Sequence, residues 1–396
     1  MEVKDLIADH KSYVQALRRE FHQHPELSFE EVETTKRIAK ELDKIGIPYT
    51  INPDRGLGLV AEIKGEASQA DEGKTITLRA DIDGLPVKEE TGLSYASKEE
   101  GKMHACGHDA HMAILLGAAR MLWQVRDQIK GRVFLLFQPG EETGHGSNYM
   151  MSVGDWYKRT DAIFGGHVWI DLPVGKISVE AGERMAASDI FTITVEGKEG
   201  HGSQPQQTVD PIVIASAIVM NLQTIVSRNT NPLDSAVVTI GHIEAGSSWN
   251  IIPDKAVLGG TARYFKREQL DRIRGAMERI VMNTAAAFGG RARLDYEARV
   301  QPVINDVTMS ALATKTVTHV LGKKAISLMT KVTAGEDFSA YMVDKPACFA
   351  FIGIGNPKFD AVHGHHQADF KIDDSRLAEA SAVYAQFAID WLASQG

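Results

Sequence analysis

Residues 186–298 interrupt the rhythm of the chain on either side of them, and that interruption limits the fold more than any other feature. SDIFTITVEG reads as a strand, VDPIVIASAIVMNLQTIVSR as a helix, SAVVTIGHIEAG and KAVLGGTARYF as strands, REQLDRIRGAMERIVMNTAAAFG as a helix and RARLDYEAR as a strand. That βαββαβ order belongs to a split βαβ unit. Upstream, Val3, Leu6, Ile7, Val14, Leu17 and Phe21 recur at helical spacing, and Ser28 followed by Glu31 predicts a capping box for a second helix through Leu42. Short β-rich runs follow near 58–65, 75–81, 132–137 and 162–166, with AHMAILLGAARMLWQV reading as a buried helix between the second and third. Such alternation argues for a sheet with substantial parallel character.

At 396 residues the chain is too long for one ordinary core. The expected fold class is α/β. A mixed, largely parallel sheet flanked by helices is built from residues 1–185 and 299–396, and an inserted ferredoxin-like βαββαβ domain spans 186–298. No segment carries 18 uninterrupted apolar residues, so a membrane span is not expected. The N-terminus is charged from its second residue and lacks the apolar stretch of a secretory signal, which predicts a cytoplasmic protein. A net charge of −9 leaves no electrostatic footprint for nucleic acid. Two cysteines exclude a disulfide framework, and Cys348, in ACFAFIGIG, reads as a buried inert thiol. The acidic stretches near 68–72 and 89–100 read as solvated surface.

Chemistry concentrates where strands end. Glu141 and Glu142 close the hydrophobic run VFLLFQPGEE, and two neighbouring glutamates near a core call for a positive partner. A metal ion fits that demand. Other ligand types stand at Cys106 and His108 in HACGHDAH, at His167 in IFGGHVW and at His365 and His366 in GHHQADF. Asp81, the glutamate pair and His167 each follow a strand's last apolar residue, the edge at which open α/β sheets gather ligands. Five ligands exceed the four of a closed structural zinc site and suit two adjacent ions.

Nine motifs occur in order over nearly the whole chain: HPELSFEE, RADIDGLPVKEETGL, HACGHDAHMA, FQPGEE, GGHVW, GKEGHGSQP, NIIPDKAVLGGTAR, AGEDFSAY and HHQADFKIDD. In these the sequence resembles the metal-dependent amidohydrolases that include hippurate hydrolase, aminoacylases, indole-3-acetyl-amino-acid hydrolases and N-acetyl-diaminopimelate deacetylase (metallopeptidase family M-twenty). The resemblance implies a two-metal catalytic domain over 1–185 and 299–396 and a lid and dimerisation domain over 186–298. It implies two divalent ions per subunit, zinc or manganese, and a homodimer paired through the lid. The ligands it implies are Cys106, His108, Glu142, His167 and His366, with His365 the competing neighbour of His366, and Glu141 falls on the general base. Distant relatives open the site with His-x-Asp, whereas Arg79-Ala80-Asp81 stands here; His108 then serves as ligand and Asp81 orients a group that touches the metal. In the lid motif Gln206 replaces a histidine common in this branch, leaving His201 as its only one.

The activity implied is hydrolysis of the amide bond of an N-acyl amino acid by a metal-activated water, with Glu141 as base and later proton donor to the amine. His201 would donate to the developing oxyanion, and Asn250 and Arg263 would grip the substrate carboxylate. A dipeptidase or carboxypeptidase on the same centre is the alternative. From other classes, a non-catalytic binding protein would need a lost ligand or base, and a Cys106-nucleophile hydrolase would be indifferent to chelators. Glu336 in AGEDF is expected to support the metal shell, while Asp337 also reads as a helix cap.

Overall fold

The β-rich runs of the sequence become strands β1 (Tyr49–Ile51), β2 (Leu59–Lys64), β3 (Thr75–Asp81), β4 (Arg132–Gln138), β5 (Ala162–Pro173) and β6 (Ile177–Ser178) in a computed structural model that describes residues 1–67 and 73–395. The stretch read as acidic surface at 68–72 lies outside the described residues. Two compact units result: Met1–Gly182 with Ile304–Thr330 and Ala340–Gly396, and Glu183–Val303 with Lys331–Ser339.

In chain order the remaining strands are β7 (Gly182–Met185), β8 (Ser188–Glu196), β9 (Gly200–His201), β10 (Ala236–Ala245), β11 (Ile251–Ile252), β12 (Lys255–Tyr264), β13 (Arg291–Val300), β14 (Val303–Asn305) and β15 (Ala347–Gly355). The first unit holds a seven-stranded sheet in the order β1-β2-β4-β3-β5-β15-β6. Its centre is parallel, with β3 beside β4 and β5, and β5 beside β15; the edges β1, β2 and β6 run antiparallel. Every residue of β3 is buried, as a central strand covered on both faces requires.

Helices α1 (Ile7–His22), α2 (Val32–Ile45) and α3 (His108–Gln124) precede α4 (Gly146–Met151) and α5 (Trp156–Arg159). Apolar nearly all round, α3 is buried among β3, α1 and the C-terminal helix, Leu377–Ala393. The expected capping box of α2 does not form. Its first amides, Glu33 and Thr34, donate instead to the Glu26 carboxylate, because Ser28 and Glu31 are engaged by more distant partners.

In the second unit, β8, β10, β12 and β13 form an antiparallel sheet in the order β10-β12-β8-β13, which is the strand order of a ferredoxin-like split βαβ unit. Helices α6 (Pro211–Thr224) and α7 (Gln269–Ala287) supply its core with Ile214, Ile218, Leu222, Ile273, Met277 and Val281. Pro211–Asn229 is long and apolar enough, by length and composition, to cross a membrane; Ile214, Ile218 and Ile225 of this segment are buried in that core. Lys331–Ser339 joins the second unit through backbone bonds of Val332 with Arg184 and Ala186.

Candidate metal centre and catalytic groups

Five chain segments of the first unit converge around the C-terminal ends of its parallel strands. β3 ends on Asp81 and leads to Asp83. The turn before α3 carries Cys106 and makes His108 the first helical residue, and this needs Gly107 at φ +95, where an added Cβ would lie 2.4 Å from Val168 Cγ2. β4 runs into a single 3-10 turn, Glu141–Thr143. His167 stands within β5, and His366 reaches the site from a loop whose backbone is left-handed there, at φ +66, with its amide on the Ala105 carbonyl at 2.8 Å.

The ligand-type atoms lie at coordination spacing. Cys106 Sγ is 3.3 Å from His167 Nε2, His366 Nε2 is 3.5 Å from Glu142 Oε2, and His108 Nε2 is 3.8 Å from Glu142 Oε1. Tetrahedral zinc with bonds of about 2.0–2.3 Å places neighbouring ligand atoms roughly 3.3–3.8 Å apart. Three overlapping trios, Cys106 with His108 and His167, Cys106 with Glu142 and His366, and His108 with Glu141 and Glu142, each have their atoms within 4.8 Å of one another. His108 Nε2 and Glu142 Oε1 are buried without a hydrogen-bond partner among the described residues. Burial pushes the Cys106 thiol well above its ordinary range, and Glu142 pushes it further against the pull of His108, so a thiolate here needs an adjacent cation. An orphaned imidazole nitrogen, an orphaned carboxylate oxygen and a thiol that only a cation can ionise fit divalent metal.

Tautomers are set from behind. His108 Nδ1 is 3.1 Å from Asp83 Oδ1, and His167 Nδ1 donates to the Val168 carbonyl at 2.6 Å, so each ring turns Nε2 to the centre. His167 is held well below its usual pKa by burial and by His111 and His365, and is neutral. Burial works against the charge of Asp83, but the bonds from His108, from the Glu142 amide at 3.0 Å and from Ser28 Oγ at 2.7 Å keep its carboxyl below the usual range.

Asp81 Oδ2 lies 3.7 Å from His108 Nε2, while its hydrogen bonds go to other partners. It takes Arg79 at 2.7 Å and His111 Nδ1 at 2.5 Å, and the other nitrogen of His111 accepts the Val168 amide at 2.9 Å. Both His111 nitrogens are thus occupied, and Asp81 supports the backbone that follows His167. His365 Nε2 donates to the Val168 carbonyl at 3.0 Å and its ring lies against Trp169 and Phe370, so of the two adjacent histidines only His366 reaches Cys106 and Glu142. Sequence reasoning did not single out Asp83, although carboxylates two apart after a strand, Asp81 and Asp83, share one face and were a usable signal.

In the second unit His201 and Asn250 share the two-stranded ribbon β9–β11. His201 pairs with Ile251, and the Gly202 amide donates to the Asn250 carbonyl at 2.8 Å. His201 Nδ1 accepts the Ser203 amide at 3.1 Å, which leaves Nε2 of this exposed residue as the donor nitrogen. Arg263 stands apart on β12, where its guanidinium donates to Thr261 Oγ1 and, at 3.1 Å, to the Ala262 carbonyl. Gln206 lies in the exposed turn Pro205–Gln207, and Glu336 and Asp337 belong to the second unit's Lys331–Ser339 segment.

A parallel-centred α/β sheet with paired carboxylates beside thiol and imidazole donors at its strand ends defines a metallohydrolase. Residues 77–390 match the model of Peptidase family M20/M25/M40, and the chain belongs to that family. It is similar to the N-acetylcysteine deacetylase of Bacillus subtilis (strain 168), with 40% identity over 94% of this chain and 95% of that protein. Thermostable carboxypeptidase 1 of Saccharolobus solfataricus is 34% identical, over 98% of each chain. The crystal structure of the Bacillus subtilis YXEP protein, described as a dinuclear metal binding peptidase from the M20 family, is 35% identical with a TM-score of 0.86, over 98% of this chain and 99% of that one. The protein is a hydrolytic enzyme, and its chemistry is metal-dependent hydrolysis of amide bonds.

Proposed function

We propose that the enzyme removes the acyl group from N-acyl amino acids, with Glu141 as general base. The observation that carries this reading is the 3-10 turn at Glu141–Thr143, which presents a carboxylate of 9% exposure directly beside the ligand-type Glu142. Cys106, His108, Glu142, His167 and His366 would hold two divalent ions, and thiolate with imidazole suits zinc while carboxylate admits manganese. When bound, such ions acidify a water and polarise the acyl carbonyl.

Glu141 would take a proton from the attacking water and later deliver it to the amine nitrogen as the C–N bond breaks. Asp83 keeps His108 in its ligating tautomer, and Asp81 acts through His111 on the peptide after His167. The protonated Nε2 of His201 is a donor suited to the oxyanion, and Asn250 and Arg263 are suited to a substrate carboxylate. The deacetylase relative favours an N-acyl amino acid; the carboxypeptidase relative favours the second reading, a peptidase on the same centre.

The enzyme would work as a homodimer through the second unit. Its edge strand β10 exposes Val237 and Ile243, and α6 exposes Ile212, Val213 and Met220, an apolar edge and face suited to a second copy. Both cysteines are free, in keeping with a reducing cytoplasm. The test is to assay metal-loaded enzyme on N-acetyl, N-benzoyl and indole-acetyl amino acids beside dipeptides. Faster turnover of the acyl amino acids supports the first reading, and faster turnover of dipeptides replaces it with the second.

A further inference from the structure

The HPELSFEE segment contributes no ligand and no base, yet two of its side chains close on the loop that carries both glutamates. Glu31 is completely buried, and its Oε1 accepts the Gly140 amide at 2.8 Å. Its other oxygen is buried with no hydrogen-bond partner among the described residues, an arrangement that costs stability rather than adding it. Phe29 adopts φ +62, rare for an aromatic residue, and its ring lies 2.6 Å from where a Cβ on Gly140 would stand. Gly140 itself is left-handed at φ +71, and its carbonyl accepts Thr143 Oγ1 at 2.8 Å. Thr35 Oγ1 donates to the Glu31 carbonyl at 2.7 Å and accepts the Gly58 amide at 2.9 Å, which fixes the start of α2 behind the carboxyl. On the far side of Glu141, the Glu142 amide donates to Asp83.

We propose that Glu31 is a positioning residue for the hydrolytic reaction: with Asp83 it anchors the peptides on either side of Glu141, and Phe29 seals the anchored loop, so that the base is held still. This rests on the role given above to Glu141. Burial and the neighbouring Asp83 push the Glu31 carboxyl up to about 8, so glutamine, neutral and with the same acceptor, is its close mimic.

The experiment compares Glu31→Leu with Glu31→Gln by two readouts, hydrogen exchange of the segment 138–145 and steady-state kinetics of the metal-loaded enzyme. In Glu31→Leu the segment should exchange about tenfold faster, and kcat should fall roughly ten- to a hundredfold with KM within about threefold, while Glu31→Gln restores both to within about threefold of the parent. Unchanged exchange or unchanged kcat in Glu31→Leu overturns the proposal, and so does an equal loss in Glu31→Gln. Should Glu31→Leu not fold, Glu31→Asp, one methylene short of the Gly140 amide, is read by the same criteria. If the parent enzyme turns over no N-acyl amino acid or peptide, the functional reading fails and the exchange measurement alone decides the anchoring.

Discussion

Asp83 Oδ1 lies 3.1 Å from His108 Nδ1, and both side chains are wholly buried. The pairing commits the His108 proton to the side away from the centre and leaves Nε2 facing Glu142. Carboxylates behind a ligating imidazole both orient the ring and raise its basicity. Asp83→Asn keeps the shape and removes the charge, so metal affinity should fall roughly 10- to 100-fold. Competition with a chelating dye measures this directly, and unchanged affinity would remove Asp83 from its supporting role.

Loading the metal should release protons. Burial pushes the Cys106 thiol well above its ordinary range. Burial opposes charge on His108, but the Asp81 carboxylate and the contact with Asp83 hold its pKa well above the usual value. The free protein at pH 7 therefore carries a proton on each that a ligand must lose, and about two protons per chain should appear on binding. Calorimetry in buffers of different ionisation enthalpy counts them. Zero protons released would mean that neither group ligates.

Glu31 makes stability fall with pH. Its carboxyl is raised from an ordinary 4.5 to about 8, so between those values the unfolded chain has lost a proton that the folded chain keeps. The folded state is then penalised increasingly as pH rises from 4.5 to 8, by up to roughly 4–5 kcal/mol at about 1.4 kcal/mol per unit. Glu31→Gln does not titrate, so its advantage in Tm over the parent should grow across that window. A constant difference in Tm between pH 4.5 and 8 would show that the buried acid does not hold its proton.

If the second units pair, His201 can serve either its own subunit or its neighbour's. Subunit exchange between His201→Ala and Glu141→Gln distinguishes the two, because action across the interface gives each mixed dimer one intact site. Regained activity, about a quarter of the parent at full statistical exchange, is expected for that arrangement. A monomer with full activity in sedimentation and assay would contradict the dimer.

The candidate ligands Cys106, His108, Glu142, His167 and His366 were legible because they are chemically conspicuous; Glu142 follows a strand as expected, whereas β5 runs on to Pro173 and places His167 inside the strand rather than after it. The supporting contacts were not. Ser28 and Glu31 have the spacing of a capping box, and local spacing cannot tell that Ser28 would donate to Asp83 and Glu31 would accept from Gly140. His365 and His366 are adjacent, yet His365 donates to the Val168 carbonyl while His366, on a left-handed backbone, faces Glu142. The inserted βαββαβ unit was readable because each element has its own period, whereas the attachment of Lys331–Ser339 to it depends on backbone bonds that side-chain pattern does not encode.

The division of labour between two adjacent glutamates is the centre of the account, and elemental analysis beside turnover of Glu141→Gln and Glu142→Gln tests it most directly. Glu141→Gln should keep two divalent ions per chain while kcat drops roughly 10²- to 10⁴-fold or more, since the amide preserves shape and removes the base. Glu142→Gln should lose metal. Equal metal loss in the two variants, or a Glu141→Gln enzyme that turns over at the parent rate, would contradict it.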